Sequence, residues 1–236
     1  MLKQLLSLFG SSHAIALMGE DFSKMLDLSY DITVRAGQVF FEESAETDVR
    51  TEISKRDVEI NKFERSIRKQ VIAHVTLGSN AADVPYCLLL MSIVKDVERI
   101  GDYAKNLAQV HHDGGASIPD DELGAELREI RRLVDGMFAE ARAVFETSDS
   151  DAASALILMG RELNKRCDAL VVEVTRSEYN AATTSSMILG ARYYKRIESH
   201  LLNILSGVVM PLHKLDYYDE RFLVNESGPD PDDDDQ

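Results

Sequence analysis

Cysteine, tryptophan and proline are scarce in this sequence. Its 236 residues include two cysteines, no tryptophan and five prolines. Cys87 and Cys167 stand far apart, without a Cys-x-x-Cys pair or a nearby group of histidines, so neither a disulfide framework nor a structural zinc site is predicted. Few prolines are typical of long helices, because proline interrupts the helical hydrogen-bond ladder. The composition favours a helical protein of a reducing compartment.

Long apolar runs and clustered basic residues are also missing. No run approaches the roughly 20 apolar residues of a membrane-spanning helix, and the apolar stretch of residues 1–9 is too short for a signal peptide. We expect a cytoplasmic protein, in which residues 1–9 are either a frayed helical start or a small amphipathic contact with a partner or membrane surface. The net charge of −15 argues against nucleic-acid binding, which needs clustered Lys and Arg.

The motifs of several common protein classes do not occur. There is no Gly-x-Ser-x-Gly turn for hydrolase chemistry and no Gly-rich phosphate loop with a following lysine. A single four-helix ferritin-like bundle, the alternative architecture, needs Glu-x-x-His pairs, and none is present. We assign no role to His111, His112 or His200, because a frayed terminus or a packed surface position explains each.

The sequence does contain six segments in which apolar residues recur at helical spacing. We predict helices over residues 19–41, 48–75, 85–111, 121–148, 150–179 and 183–211. The predicted N-terminal signals are Asp48 or Thr47, Asp120, Asp149 or Ser150, and the polar cluster 183–186. Residues 228–236 are almost entirely Pro and Asp and are predicted to form a disordered acidic tail.

The second half of the chain repeats the first. Residues 59–62 (Glu-Ile-Asn-Lys) align with 162–165 (Glu-Leu-Asn-Lys), and Arg99-Ile100 aligns with Arg196-Ile197, at offsets of 103 and 97. The Gly- and Pro-containing stretch 113–119 separates the halves. We predict an all-α fold of two tandem antiparallel three-helix bundles. Its parts are an extension (1–18), a first bundle (19–112), a linker (113–119), a second bundle (120–218) and a tail (219–236).

Carboxylates follow one another along two predicted helices. Glu98 and Asp102 lie one turn apart on the third helix, away from its apolar seam. Asp57, Asn61 and Glu64 form a second oxygen-rich stripe on the second helix. Like charges one turn apart mildly destabilise a helix, so such stripes are either solvated polar faces or share a cation.

The residues Glu98-Arg99-Ile100-Gly101-Asp102-Tyr103, followed by Asn106, resemble the signature of the PhoU family of phosphate-signalling regulators. The resemblance covers Gly19 to Leu215 and implies two successive three-helix bundles, with metal binding by paired acidic patterns on the bundle surface. It also implies a regulator of phosphate uptake that acts by protein contact. The partners it implies are the ATPase subunit of a phosphate transporter, a membrane sensor kinase or a sodium-dependent phosphate carrier.

The resemblance predicts a metal site in the first half only. Glu98 and Asp102 match the motif, whereas Asp57 and Asn61 match its partner pattern with an amide in place of the second carboxylate, and Glu64 lies one turn further along. In the second half, Lys195, Ser199 and Gly160 stand at the positions of Glu98, Asp102 and Asp57. Oxygen ligands without His or Cys point to Mg, Mn, Ca or ferric iron.

Two other functions remain open from the sequence. A metal-dependent enzyme could use the first-half carboxylates, which would require a concave pocket with a general base beside the metal. A structural adaptor with a vestigial metal site is the other alternative. We also expect a homodimer, although the charge of about −10 outside the tail opposes association at low salt.

Overall fold

Six long helices make up most of the part of the chain that the structure describes. The computed structural model describes residues 13–41, 47–77 and 81–216, apart from the side chains of residues 47, 48 and 146. The helices are α1 (His13–Phe41), α2 (Thr47–Thr76), α3 (Val84–Gln109), α4 (Glu122–Thr147), α5 (Ser150–Arg176) and α6 (Ala181–Val209). The described residues contain no strand, and the predicted all-α class is confirmed. Residues 1–12 and the predicted tail 219–236 lie outside the described residues.

Aspartate or asparagine side chains cap the N-termini of three helices. Asp121 accepts a hydrogen bond from the Gly124 amide at 3.0 Å, so the predicted cap Asp120 is wrong by one residue. Asp149 caps α5, as one of the two predicted alternatives. Asn180 caps α6 through the amide of residue 183, so this helix begins before the cluster 183–186 rather than at it. Each carboxylate or amide oxygen satisfies an otherwise free amide of the first turn.

Helix α1 begins at His13, six residues before the predicted start at Gly19. Ile15 and Met18 are buried at helical spacing with Phe22, which extends the apolar face towards the N-terminus. Gly19 is an interior helical residue at a close approach, because a Cβ there would lie 3.0 Å from the Tyr86 hydroxyl. The glycine that suggested a boundary therefore serves packing between α1 and α3.

The two halves pack through α3 on α6 and α1 on α4. Tyr103 and His200 occupy equivalent positions of the repeat, and their rings stack at 5.7 Å between centroids. Asp96 contacts His200, and the equivalent pair, Tyr193 and Tyr103, is also in contact at 6.2 Å between centroids. Such reciprocal contacts are the mark of a two-fold relation. A local two-fold axis therefore passes between α3 and α6.

The packing of α1 on α4 is consistent with the same relation. Phe22 packs on Phe145 at 4.8 Å between ring centroids. Val39-Phe40 aligns with Val144-Phe145 at an offset of 105, so the equivalent residues are Leu127 and Phe40. Both lie against Gly190 of α6, where an added Cβ would be 2.5 Å from Phe40. The buried residues of all six helices form one continuous core. The two three-helix bundles thus share their interior, while α2 and α5 pack on the helices of their own halves.

Candidate metal site between α2 and α3

A buried aspartate brings α2 and α3 together. Asp57 is only 4% exposed, and a Cβ on Gly101 of α3 would lie 3.4 Å from its Oδ1 atom. The backbone of α3 at Gly101 therefore passes close to the Asp57 carboxylate. Asp57 Oδ1 is buried and has no hydrogen-bond partner among the described residues. A buried acceptor without a donor is costly, so this oxygen marks a place where a donor or cation would be favourable.

Lys105 joins this aspartate to the predicted motif. Its Nζ atom donates to Asp57 Oδ2 at 2.8 Å and to Asp102 Oδ1 at 3.1 Å. Burial alone would lower the pKa of Lys105, but the hydrogen bonds to both carboxylates outweigh this effect and raise it. The lysine is therefore an ammonium ion at neutral pH and links α2 to α3.

The other two acidic side chains lie near this pair. Burial raises the pKa of Glu98, and the negative charges of Asp102, Glu64 and Asp57 raise it further, while Arg99 lowers it. Arg99 lies 3.3 Å from Asp102 and 3.7 Å from Glu98, measured between charged atoms. On α2, Arg68 pairs with Glu64 at 2.9 Å. Three cationic groups, those of Lys105, Arg99 and Arg68, thus face four carboxylates.

The structure gathers four of the five predicted ligands. Asp57, Glu64, Glu98 and Asp102 interact electrostatically, and Asn61 lies one turn along α2 in a partly buried position. Nevertheless, within the described residues no three His, Cys, Asp or Glu side chains are arranged to hold a metal ion. The oxygen donors suit a hard cation chemically, but Lys105 holds two of these oxygens.

Sequence reasoning missed Lys105. Its spacing of three residues from Asp102 is a sequence signal for a helical ion pair. The contact with Asp57, which is 48 residues away in the chain, has no such signal, because it depends on how α2 packs against α3. The importance of Lys105 therefore becomes visible only in the folded chain.

The corresponding region of the second half is arranged differently. Lys195 of α6 pairs with Asp168 of α5 at 2.5 Å. The Asn164 side-chain amide donates to Ser199 Oγ at 3.3 Å. A buried carboxylate is present as well, but it comes from α6: Glu198 is 1% exposed and lies against Gly160 of α5. Glu198 occupies the repeat position of Gly101, and Gly160 occupies that of Asp57.

Two surface cavities lie away from the acidic site. A groove of about 550 Å³ between the start of α1 and the end of α2 has a mainly apolar lining, formed by Ala14, Leu17, Asp21, Gln70, Ala73, His74 and Leu77. A polar cavity of about 320 Å³ lies between the start of α2 and the end of α3. Neither is lined by the five predicted ligands. None of the described helices combines the length and hydropathy needed to span a membrane.

Comparison with known sequences supports the resemblance. The profile of the PhoU domain matches residues 15–110. A phosphate-specific transport system accessory protein PhoU homolog from Synechocystis is 30% identical over 98 residues, which cover 41% of this chain and 43% of that protein. A homolog with the same description from Xylella fastidiosa is 25% identical over 207 residues, which cover 84% of this chain and 80% of that protein.

Comparison with solved structures agrees on the fold. PhoU from Pseudomonas aeruginosa superimposes with a TM-score of 0.73 at 22% identity, over 83% of this chain and 95% of that chain. The regulatory protein PhoU of the phosphate transport system of Streptococcus pneumoniae gives a TM-score of 0.72 at 16% identity, over 82% and 92%. At such identities the likeness concerns the fold, and it extends over both halves.

Proposed function

This chain belongs to the PhoU family, and from that membership we propose that it is a cytoplasmic accessory protein that regulates phosphate uptake through contacts with other proteins. The observation that carries the proposal is the alignment with the Xylella fastidiosa accessory protein, which runs through both bundles and over 84% of this chain. An alignment of 207 residues is longer than either half of the chain, so the relation concerns both halves.

The proposed partners are components of phosphate import or sensing: the ATPase subunit of a phosphate transporter, a sodium–phosphate carrier or a membrane sensor kinase. The long exposed faces of α2 and α5 support protein contact as the mode of action. The test is affinity capture by the full chain from phosphate-replete cells, followed by mass spectrometry. We expect enrichment of one of these three components over an unrelated helical bait of similar charge. Recovery of none of them would contradict the proposal.

We propose that the chain acts without catalysis. The acidic side chains of the first half lie along helix faces, and arginine or lysine side chains neutralise most of them. The enzyme alternative predicts metal-dependent hydrolysis of phosphate esters that is lost in Glu98→Ala/Asp102→Ala. We expect no turnover above buffer with Mg²⁺ or Mn²⁺. Turnover that disappears in this variant would favour the enzyme.

We further propose that the first half binds one hard metal ion weakly, through Asp57, Glu98 and Asp102 with Asn61 and Glu64 nearby. The buried Asp57 Oδ1, which lacks a hydrogen-bond donor among the described residues, supports this proposal. Such a metal would supply positive charge between α2 and α3. Calorimetry should show one weak site for Mg, Mn, Ca or ferric iron. Glu98→Ala/Asp102→Ala should abolish it, whereas Ser199→Ala should not; two equivalent metals, or none at millimolar concentration, would contradict the proposal.

Self-association is the last part of the proposed function. We propose a homodimer, since elongated bundles present long flanks to a second copy. The negative charge opposes association at low ionic strength, so the dimer should be favoured by salt. Sedimentation at micromolar concentration in buffers of low and physiological salt measures this directly. A monomer in both buffers would contradict the proposal.

A further inference from the structure

Lys105 lies where a cation between α2 and α3 is expected. Its ammonium group contacts one carboxylate from each helix, at 2.8 Å from Asp57 and 3.1 Å from Asp102. A bridging metal ion would make the same kind of contact with the same oxygens. The ammonium group therefore occupies the place that a bridging metal ion would need.

The second half uses the same kind of link without the acidic motif. Lys195 extends from α6 to Asp168 of α5 at 2.5 Å, and Arg192 lies 3.3 Å from the same carboxylate. In both halves a lysine of the third helix thus holds an aspartate of the second. Each three-helix bundle therefore has ion pairs of its own side chains between these two helices.

The first half nevertheless keeps an unused oxygen. Asp57 Oδ2 is occupied by Lys105, whereas Oδ1 is buried without a hydrogen-bond partner among the described residues. The negative charges of Asp102 and Asp57 help to raise the pKa of Glu98, so the Glu98 carboxylate lies close to both. Removal of the ammonium group would therefore leave two helices with facing carboxylates and spare oxygen donors, which is the environment that a hard cation prefers.

We propose that Lys105 is an internal competitor of metal ions, so that a divalent cation binds Asp57 and Asp102 only by displacing the ammonium group. The inference rests on the metal-binding part of the function proposed above. The lysine side chain is 26% exposed and flexible, so its end can move into solvent while the helices stay packed. Metal binding is then an exchange of one cation for another, and its affinity is set by Lys105.

The test compares Mn²⁺ binding to the full wild-type chain, Lys105→Met and the matched control Lys195→Met. Methionine keeps an unbranched side chain, shorter by the terminal nitrogen, and removes the charge. Calorimetry should show at least about tenfold tighter Mn²⁺ binding by Lys105→Met, because one unit charge is removed beside the ion. Lys195→Met should bind as the wild type does.

Thermal melting supplies a second readout. In metal-free buffer Lys105→Met should melt below the wild type, because the facing carboxylates repel each other, and millimolar Mn²⁺ should restore its stability. Lys195→Met should also melt earlier, without restoration. Asp57→Asn/Lys105→Met should lose the gain in Mn²⁺ affinity, which assigns the gain to this site.

Two outcomes would overturn the inference. If Lys105→Met binds Mn²⁺ no more tightly than the wild type, or Mn²⁺ does not restore its melting temperature, Lys105 is a structural ion pair only. If the wild type binds Mn²⁺ and Lys105→Met binds it with the same affinity, the competitor role is refuted and the proposed metal site is retained. Absence of binding in both proteins would refute the metal site as well. The proposed regulatory function is tested separately, by the affinity-capture experiment described above.

Discussion

The carboxylate of Glu198 lies against Gly160, and a Cβ at Gly160 would be 2.0 Å from Glu198 Oε1. In the first half the equivalent positions hold Gly101 and Asp57, with the glycine on the third helix and the acid on the second. Each bundle therefore places one buried carboxylate opposite one glycine, but the two halves take the acid from different helices. The repeat conserves the pairing of a small residue with an acidic one, and exchanges their places.

This pairing predicts the effect of adding a methyl group at Gly160. Gly160→Ala should destabilise the protein by about 1–3 kcal/mol, since both Glu198 and Leu202 are buried and would have to shift. Gly136→Ala is the control, because a Cβ on that exposed residue of α4 meets nothing within 4 Å. It should stabilise by about 0.5–1 kcal/mol. Urea denaturation measures both, and equal effects would contradict the close approach.

The acidic cluster predicts a pH-dependent penalty at Glu98. Burial and neighbouring carboxylates raise the pKa of Glu98 above its ordinary value of 4.5, so its charged form is less favourable in the folded chain than in the unfolded one. The penalty is absent well below pH 4.5 and grows as pH rises through the folded pKa. In metal-free buffer, Glu98→Gln should therefore be more stable than the wild type at pH 7, by about 0.5 kcal/mol, and equal to it at pH 3.5.

Glu162→Gln is the control for that experiment. The Glu162 side chain is 70% exposed and pairs with Lys165 on the surface of α5. Exposed pairs of this kind contribute less than about 1 kcal/mol, and no gain at pH 7 is expected. If Glu98→Gln is less stable than the wild type at pH 7 in metal-free buffer, the carboxylates do not repel one another as described.

The interface between the halves predicts a third effect. Asp96 is 5% exposed and lies 2.8 Å from both His200 Nδ1 and Asn203 Nδ2 of α6. Asp96→Ala should cost about 1–3 kcal/mol of stability, because it leaves the partly buried side chains of His200 and Asn203 without their acceptor. Asp168→Ala, at a carboxylate that is 51% exposed, should cost less than about 1 kcal/mol. Similar losses in the two variants would show that the contact between α3 and α6 contributes little.

The cysteines supply the fourth prediction. Burial, with the negative charge of Glu198, raises the pKa of Cys167 to about 12, and burial raises the pKa of Cys87. Thiolate is the reactive form, so neither thiol should react with Ellman's reagent within minutes at pH 8 in the native protein. Both should react after unfolding in urea. Rapid release of one equivalent of chromophore from the native protein would place a cysteine at an accessible position.

Helical periodicity, the internal repeat and the acidic motif were readable from the sequence. Six helices, their antiparallel order and most of their ends follow from local patterns, since apolar spacing and Asx capping act within a few residues. Local sequence signals gave a wrong helix boundary where a residue makes a contact with a distant part of the chain. Gly19 resembled a helix start, although it lies inside α1 because Tyr86 approaches it from α3.

Tertiary structure decided how the halves meet and what occupies the acidic site. The sequence determined that Asp57, Glu98 and Asp102 are present and lie on two helices. Only packing placed Lys105 between Asp57 and Asp102, and only the two-fold contact of α3 with α6 paired Asp96 with His200. These pairs join residues 48 and 104 positions apart, and their distances depend on the relative placement of whole helices. Spacing along one helix carries no information about that placement.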